Sequence, residues 1–415
     1  MWRRYLMWFA HEHVDFRHAE IQSIISLFNI PMKFIERPCV QKPYWIVDLP
    51  SEECVKKIAS RSVLLKNCIE LWSRAKTEAQ LHSNLKNALQ NKTGQWLEVN
   101  SDVENSTCPR ELIEGCCPAD KTFKVEVETF CKHFSMKEKV AKIESFSYLP
   151  LEGPVKLNNP DIKLCYLEFY GSDPNNVPEQ PHDLFFGRLI ADGQRDLIQA
   201  YSLKKRQFIG NTSMDAQLAI IMANQAKVRN GDIVLDPFVG SGSLLVAAAH
   251  FGAPYGVREP TEKIGIDRDN YTLSEAHLVN HIPSKVEYGI PEMYGDLLNF
   301  AAKHLRLGGR MVCWYPMVRD EYSESQLPRH PCLSLVANSE QVLSKLTSRR
   351  LLTYEKISDD VTSPGETHQG VNFREKYFAM GEQSRRERRE RKAEELAANA
   401  PWRPQTRHLH VNKLD

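Results

Sequence analysis

The chain has 415 residues, 42% hydrophobic and 26% charged, a length for about two or three domains and a balance typical of a globular protein. Its net charge is only +1, so a grip on nucleic acid must come from a local basic surface and not from bulk charge. The apolar start at residues 5–10 is cut short by His11-Glu12-His13, too soon for a signal core, and no uninterrupted run approaches a membrane span. The ten cysteines contain no C-x-x-C pair, and they read as reduced thiols of an intracellular, cytoplasmic protein.

Residues 1–100 read as a small α+β module. Residues 5–10 predict a strand, and residues 16–30 an amphipathic helix with Ile21, Ile24, Ile25 and Phe28 on one face. Residues 44–50 predict a second strand closed by Pro50, and residues 51–63 a weaker helix. His11, His13 and His18 suggest a metal cluster at first sight, but no carboxylate or cysteine follows at ligand spacing, so a structural role outweighs it and no metal is expected. Residues 101–122 are polar, with two prolines, and suit a connection between modules.

Regular patterning then resumes. Residues 123–130 alternate as a strand, residues 135–146 have helical spacing, and residues 163–171 predict another strand. This order, with Gly153, Leu157 and Asn159-Pro160-Asp161 before the last strand, resembles the THUMP domain of tRNA-modifying enzymes. The resemblance implies a tRNA-binding region over residues 101–200 that holds the acceptor end. Lys132, Lys137, Lys139 and Lys142 fit such a surface and fit a plain solvated helix equally well.

The strongest local signal lies at residues 230–253. Ile233-Val234-Leu235 is an apolar run expected of a buried parallel strand, Asp236 ends it, and Gly240-Ser241-Gly242 makes a tight turn into a helix from Leu244 to His250. Glycines let backbone approach a ligand closely, and the N–H groups of a helix start favour electron-rich atoms. Ser243-Leu244-Leu245 after Gly242 does not complete the dinucleotide fingerprint G-x-G-x-x-G.

Asp236-Pro237-Phe238 followed by the glycine turn resembles the first motif of S-adenosylmethionine-dependent methyltransferases that act on exocyclic amines of bases. Residues 204–232 resemble the lead-in of one subfamily, the THUMP-containing tRNA (guanine-10) N2-methyltransferases, in which such a segment precedes a helix that closes over the cofactor. In this chain that helix runs from Asp215 to Ala226. Residues 297–316 match the family's next helix and strand, residues 330–357 its closing helix and hairpin, and residues 372–378 a late segment.

The resemblance implies an α/β fold: a Rossmann-like S-adenosylmethionine-dependent methyltransferase domain over residues 201–380, preceded by an α+β THUMP-containing region. It implies Asp215, Asp236, Pro237, Phe238, Gly240 and Gly242 as cofactor-binding residues. It also implies two partners, tRNA and a small zinc-binding activator subunit.

The pattern breaks at Ala253. Residues 254–259, Pro-Tyr-Gly-Val-Arg-Glu, match the end of the family's catalytic loop, which makes Pro254, Tyr255 and Gly256 the catalytic candidates. The oriented acidic acceptor of that loop, its first proline and three intervening strands are missing, most simply by exon skipping or a faulty gene model. Asp267 and Asp269 are the nearest substitutes for the lost ribose-binding acid, but they lie downstream of Pro-Tyr-Gly, where the family has a variable loop.

The physical consequence is severe. A strand of roughly five residues buries several apolar side chains at about 1.5–3 kcal/mol each, so three lost strands exceed the roughly 5–15 kcal/mol net stability of a domain. A non-catalytic tRNA-binding protein or inactive isoform is therefore the rival reading, with a DNA amino-methyltransferase a more distant one. The tail from Gly381 interleaves basic and acidic residues and reads as a solvated helix or disorder.

Overall fold

The computed structural model describes residues 2–99, 102–206, 209–210, 213–254 and 289–361, with short helical pieces at 386–387 and 389–390. The first half is organised by one sheet. Strand β1 (Arg3–Phe9) is followed by helix α1 (Arg17–Phe28), the short β2 (Lys33–Phe34), β3 (Tyr44–Leu49) and α2 (Glu52–Ala59). The long β4 (Leu65–Ala75), α3 (Glu78–Ala88), β5 (Leu97–Val99), β6 (Asp102–Thr107) and α4 (Arg110–Glu114) come next. Then follow β7 (Phe123–Phe130), α5 (Met136–Glu144), β8 (Ile162–Phe169), β9 (Asp183–Asp192) and α6 (Asp196–Ala200).

Seven of these strands form a single sheet in the order β2-β3-β1-β4-β9-β8-β7, in which only β7 and β8 run parallel. Strands from either side of residue 100 thus share one sheet. β4 sits at its centre and pairs with β1 on one edge and β9 on the other.

The sheet is closed on both faces by aromatic packing. Phe146 stacks on Phe186 at 4.2 Å under α3 and α5, and Tyr44 meets Phe185 edge-on at 4.7 Å on the opposite face. Its buried charges are paired. Asp183 accepts hydrogen bonds from Tyr44 (2.5 Å), from Arg74 Nη2 (2.9 Å) and from Lys76 (2.9 Å), with Arg74 and Asp183 both almost fully buried. Burial alone would raise the Asp183 carboxyl; Arg74, Tyr44 and Lys76 hold it below the usual aspartate range. Helix α5 opens with a reciprocal cap in which Ser135 and Glu138 satisfy each other's backbone N–H groups.

Residues 101–122 do not form the open connection that their composition predicts. β6 pairs with β5, α4 follows, and Cys108 and Ile113 are fully buried against α3. Cys116 and Cys117 join the same core, so four apolar residues pin this polar segment down.

The second half hangs on helix α7 (Ala216–Gln225), every residue of which is buried. It is wedged between α1, helix α8 (Ser243–His250) and the later sheet. Helix α9 (Ile290–His304) then leads into β10 (Arg310–Val318), β11 (Leu333–Val342) and β12 (Thr347–Lys356). These make an antiparallel sheet in the order β10-β12-β11.

The wedge is bolted by polar contacts. Asn224 accepts from Arg61 (3.0 Å) and donates to Glu20 (2.9 Å) and to the Arg61 carbonyl (2.8 Å). Arg310 donates to Ser23 (2.9 Å) and to the Gln225 carbonyl (2.8 Å), and Glu355 joins Lys227 to Arg310.

The structure corrects two sequence expectations. Residues 330–357 contain no helix: Ser339 to Val342 continue β11, because they pair with Ser348 to Leu351 of β12. Residues 233–235 form no strand. Ile233 is 93% exposed and Leu235 65%, since among the described residues no strand lies beside them to supply partners. β10 likewise pairs only with β12, which leaves its other edge without a described partner. No helix among the described residues is long and apolar enough to cross a membrane.

The three N-terminal histidines are packed against rings: His11 against Phe130, His13 against Phe16, His18 against Phe34 and Trp45. Among the described residues no group of three or more potential metal ligands converges.

Candidate functional site

The glycine turn forms as the sequence predicts, even though the strand before it does not. Asp236 Oδ1 accepts from the Phe238 N–H at 3.0 Å, which folds the chain back after the acid. Gly240 and Gly242 adopt φ of +48° and +74°, values that a side chain rarely tolerates, and Gly242 donates to the Val239 carbonyl at 2.7 Å. Gly242 then caps α8 with no side chain over its first N–H groups, and a Cβ added there meets nothing within 4 Å. Phe238 and Val239 on the rim are exposed.

The lead-in segment is clasped to this turn by side chains that the motif alone does not single out. Buried Ser243 accepts from Arg206 Nη1 (3.1 Å) and from the Met214 N–H (3.2 Å). Ser213 and Ser241 share a hydrogen bond of 2.6 Å, and Ser213 accepts from the Gly210 N–H at 2.9 Å. A serine inside and directly after a G-x-G turn, with serine in the lead-in, is the signal that would have found them.

Asp215 is exposed at the start of α7 and caps it through the Gln217 N–H at 2.8 Å. His13 lies near it, held below the usual imidazole range first by burial, with Asp215 and Glu12 opposing the shift and Arg349 adding to it. Asp215, Asp236, Gly240 and Gly242 are therefore brought to one end of α7 and α8.

The catalytic candidates fare differently. Gly252, at φ +88°, ends α8, and its carbonyl accepts from the Gly231 N–H at 3.0 Å; a Cβ there would meet Asn230 at 2.7 Å. The next residue, Ala253, is buried in the core beside Ala247 and Ala248. Pro254 is exposed. Tyr255, Gly256, Asp267 and Asp269 lie outside the described residues. The two residues before Pro254, where an acceptor and a first proline are expected, are thus a glycine and a buried alanine.

Two family models match the chain. The Tmrp11 THUMP N-terminal domain covers residues 3–107 and 112–195, and the RMKL-like methyltransferase domain covers residues 204–276. The tRNA (guanine(10)-N(2))-methyltransferase TRMT11 of Gallus gallus is 37% identical over 458 aligned positions, spanning 91% of this chain and 95% of the relative. The chain belongs to the tRNA (guanine(10)-N(2))-methyltransferase family.

The Homo sapiens member is 36% identical over 91% of this chain and 95% of its own, and the Dictyostelium discoideum member 32% over 85% and 82%. The alignment with the chicken member is longer than this chain. Its 458 positions use 91% of 415 residues, about 378, so about 80 positions have no residue in this chain. Relatives carry chain that this member lacks.

Proposed function

We propose that this chain is a cytoplasmic tRNA-binding member of the family whose reaction is methyl transfer from S-adenosylmethionine to the exocyclic N2 amine of guanine 10, and that, with Ala253 joined directly to Pro254, its turnover is at or near background. The observation that carries the first part is the 37% identity across 95% of the chicken enzyme, together with a lead-in and glycine turn that fold as one clasped unit. The observation that carries the second is the Gly252-Ala253 pair before Pro254, neither with a side-chain oxygen and Ala253 buried in the core.

The glycine turn fits the cofactor in part. The open space at Gly242 and the start of α8, which no side chain caps, leave room and N–H donors for a ligand's polar end. Asp215, Asp236, Pro237 and Phe238 stand around it. Among the described residues, none of the three strands after α8 ends in an acid that could meet the ribose.

S-adenosylmethionine, when bound, supplies a methyl group on a positively charged sulfur. The protein's task is to present the guanine amine with its lone pair aimed at that group. In this reading Tyr255 stacks on the base, and an oxygen three positions before it accepts from the amine. Gly252 holds that position, Ala253 stands where the first proline is lost, and neither has a side-chain oxygen to offer. Loss of such an oriented acceptor costs on the order of a hundredfold to a thousandfold in rate.

The small zinc-binding activator subunit remains part of this reading as a partner. Co-expression tests it: the chain gains solubility with the activator, and an unchanged yield removes that partner.

A second reading, a tRNA-binding protein without catalysis, is favoured by the contrast between the fully formed N-terminal sheet and the unpartnered 233–235 run. Binding of unmodified tRNA against duplex DNA tests the family reading. Preference for tRNA is expected, and preference for duplex DNA would sink it.

A further inference from the structure

Most part-buried arginines of the described chain are neutralised within the protein. Arg74 faces Asp183 and Glu36, Arg188 faces Glu52 and Glu70, and Arg310 faces Glu355. Arg17 and Arg61 instead give N–H groups to the carbonyls of Ala10, Lys42 and Val228.

Arg349 does neither. Its register places it opposite Pro316 of β10 and Gln341 of β11. Its guanidinium carbon lies 3.9 Å from the ring centre of Trp314, and its Nε donates to Gln341 Oε1 at 2.7 Å. Its Nη groups have no partner among the described residues, and no carboxylate acts on it: burial alone lowers its pKa.

The place is a seam. Trp314 packs on Phe16 of the N-terminal module at 5.9 Å, Ser339 donates to the Asp15 carbonyl at 3.1 Å, and His13 is within electrostatic reach of both Arg349 and Asp215. From Asp215 the lead-in segment runs back through Met214, held on Ser243, to Arg206 on the same serine. Next to Arg206 stand Lys204 and Lys205, both exposed and without an ion pair among the described residues. Arg349, through its reach to His13, and Lys204 and Lys205, through their neighbour Arg206, are thus both tied to the stretch that joins the N-terminal module to the cofactor turn. A planar guanidinium stacked on an aromatic ring, with its outer N–H groups open, is preorganised for a phosphate.

We propose that Arg349, with Lys204 and Lys205, holds backbone phosphates of the RNA substrate where it crosses this seam, beside the glycine turn. The inference rests on the tRNA-binding reading above and adds to it a grip outside the THUMP region. Arg349 is a positioning residue: it contacts the backbone and carries no base specificity.

Salt dependence of tRNA binding by the full chain tests it. Each phosphate contact contributes about 0.7–0.9 to the slope of log K against log salt. Arg349→Gln is expected to weaken binding about tenfold and to lower the slope by about that one contact. Arg349→Lys keeps the slope and recovers part of the affinity. The Lys204→Gln/Lys205→Gln double variant changes only exposed side chains, so it remains testable if Arg349→Gln fails to fold, and it lowers the slope by about two contacts.

Unchanged slope and affinity in both variants overturns the inference. So does weaker binding with an unchanged slope, which marks a purely structural Arg349. A parent chain that binds no tRNA removes the tRNA-binding reading itself, a result distinct from a binding parent whose variants behave alike.

Discussion

The two halves of this molecule treat the same problem differently. In the N-terminal module every strand of the large sheet finds a neighbour, and Arg74, Asp183, Tyr44 and Lys76 close a buried charge cluster at its centre. In the methyltransferase half the glycine turn is formed, yet Ile233 and Leu235 stand in solvent and β10 has one edge without a described partner. A turn motif is local, held by its own positive-φ glycines and by serine contacts within about thirty residues of chain. A parallel strand is not local: it exists only when the strands on either side exist too. A cofactor turn therefore forms here even though no described strand lies beside the run that leads into it.

The largest effect belongs to the cut. Inserting the corresponding strands of the chicken relative between Ala253 and Pro254 is expected to raise methyl transfer at least a hundredfold, the order contributed by an oriented acceptor. The same insertion should bury Ile233 and Leu235, read as slowed backbone hydrogen exchange at 233–235. Exchange that stays fast would mean that the turn does not depend on those strands.

The intact half is broken by removing a buried partner. Asp183→Asn takes from Arg74 and Lys76 the buried carboxylate they share and is expected to destabilise the N-terminal module by about 3–5 kcal/mol in denaturant titration. Asp183 has its carboxyl lowered on folding, so its contribution is present above the unfolded value near 3.8 and is lost as pH falls through the lower folded value. The parent module should therefore lose stability below about pH 4 more steeply than the variant. Equal acid profiles would show that the cluster is not charged as described.

A smaller change tests the wedge. Asn224→Ala strips two donors and an acceptor from the Glu20–Arg61 junction, and is expected to cost about 2–3 kcal/mol in thermal unfolding. Burial already pushes the Glu20 carboxyl up, so the loss of its amide partner falls on a group that is costly to leave unmet. Separate melting of the two halves in this variant would identify α7 as the coupling element.

The smallest expected effect is the sharpest on the contrast between the halves. Ile233→Lys should shift stability by no more than about 0.5 kcal/mol, the range of an exposed surface change. A buried strand residue at that position would cost several times as much. A large loss would restore the strand that the sequence predicts.

Much of this arrangement is legible from sequence. The helices at α1, α5 and α7 announce themselves by helical spacing, and the Asp236 to Gly242 turn by its glycines. The central strand β4 is not legible, because Asn67, Glu70, Ser73 and Arg74 interrupt its apolar pattern. Those residues are tolerated inside because Glu70 meets Arg3 and Arg188, and Arg74 meets Asp183. Such pairs come from strands far away in the chain, which no local pattern displays. The error at 233–235 has the opposite origin: the local pattern is right for a strand, and the partners are absent among the described residues. The clasp of Arg206, Ser213, Ser241 and Ser243 escapes motif reading because serines at a turn usually serve only the turn.

Recognition of tRNA should survive in this chain while catalysis does not, and one measurement bears on that claim directly. It is transfer of labelled methyl from S-adenosylmethionine to unmodified tRNA by the purified chain, alone and with the activator subunit, under conditions where tRNA binding is saturated. Counts at or near background are expected. Turnover comparable to a full-length relative would contradict the claim and would point to Asp267 or Asp269 as replacement acids.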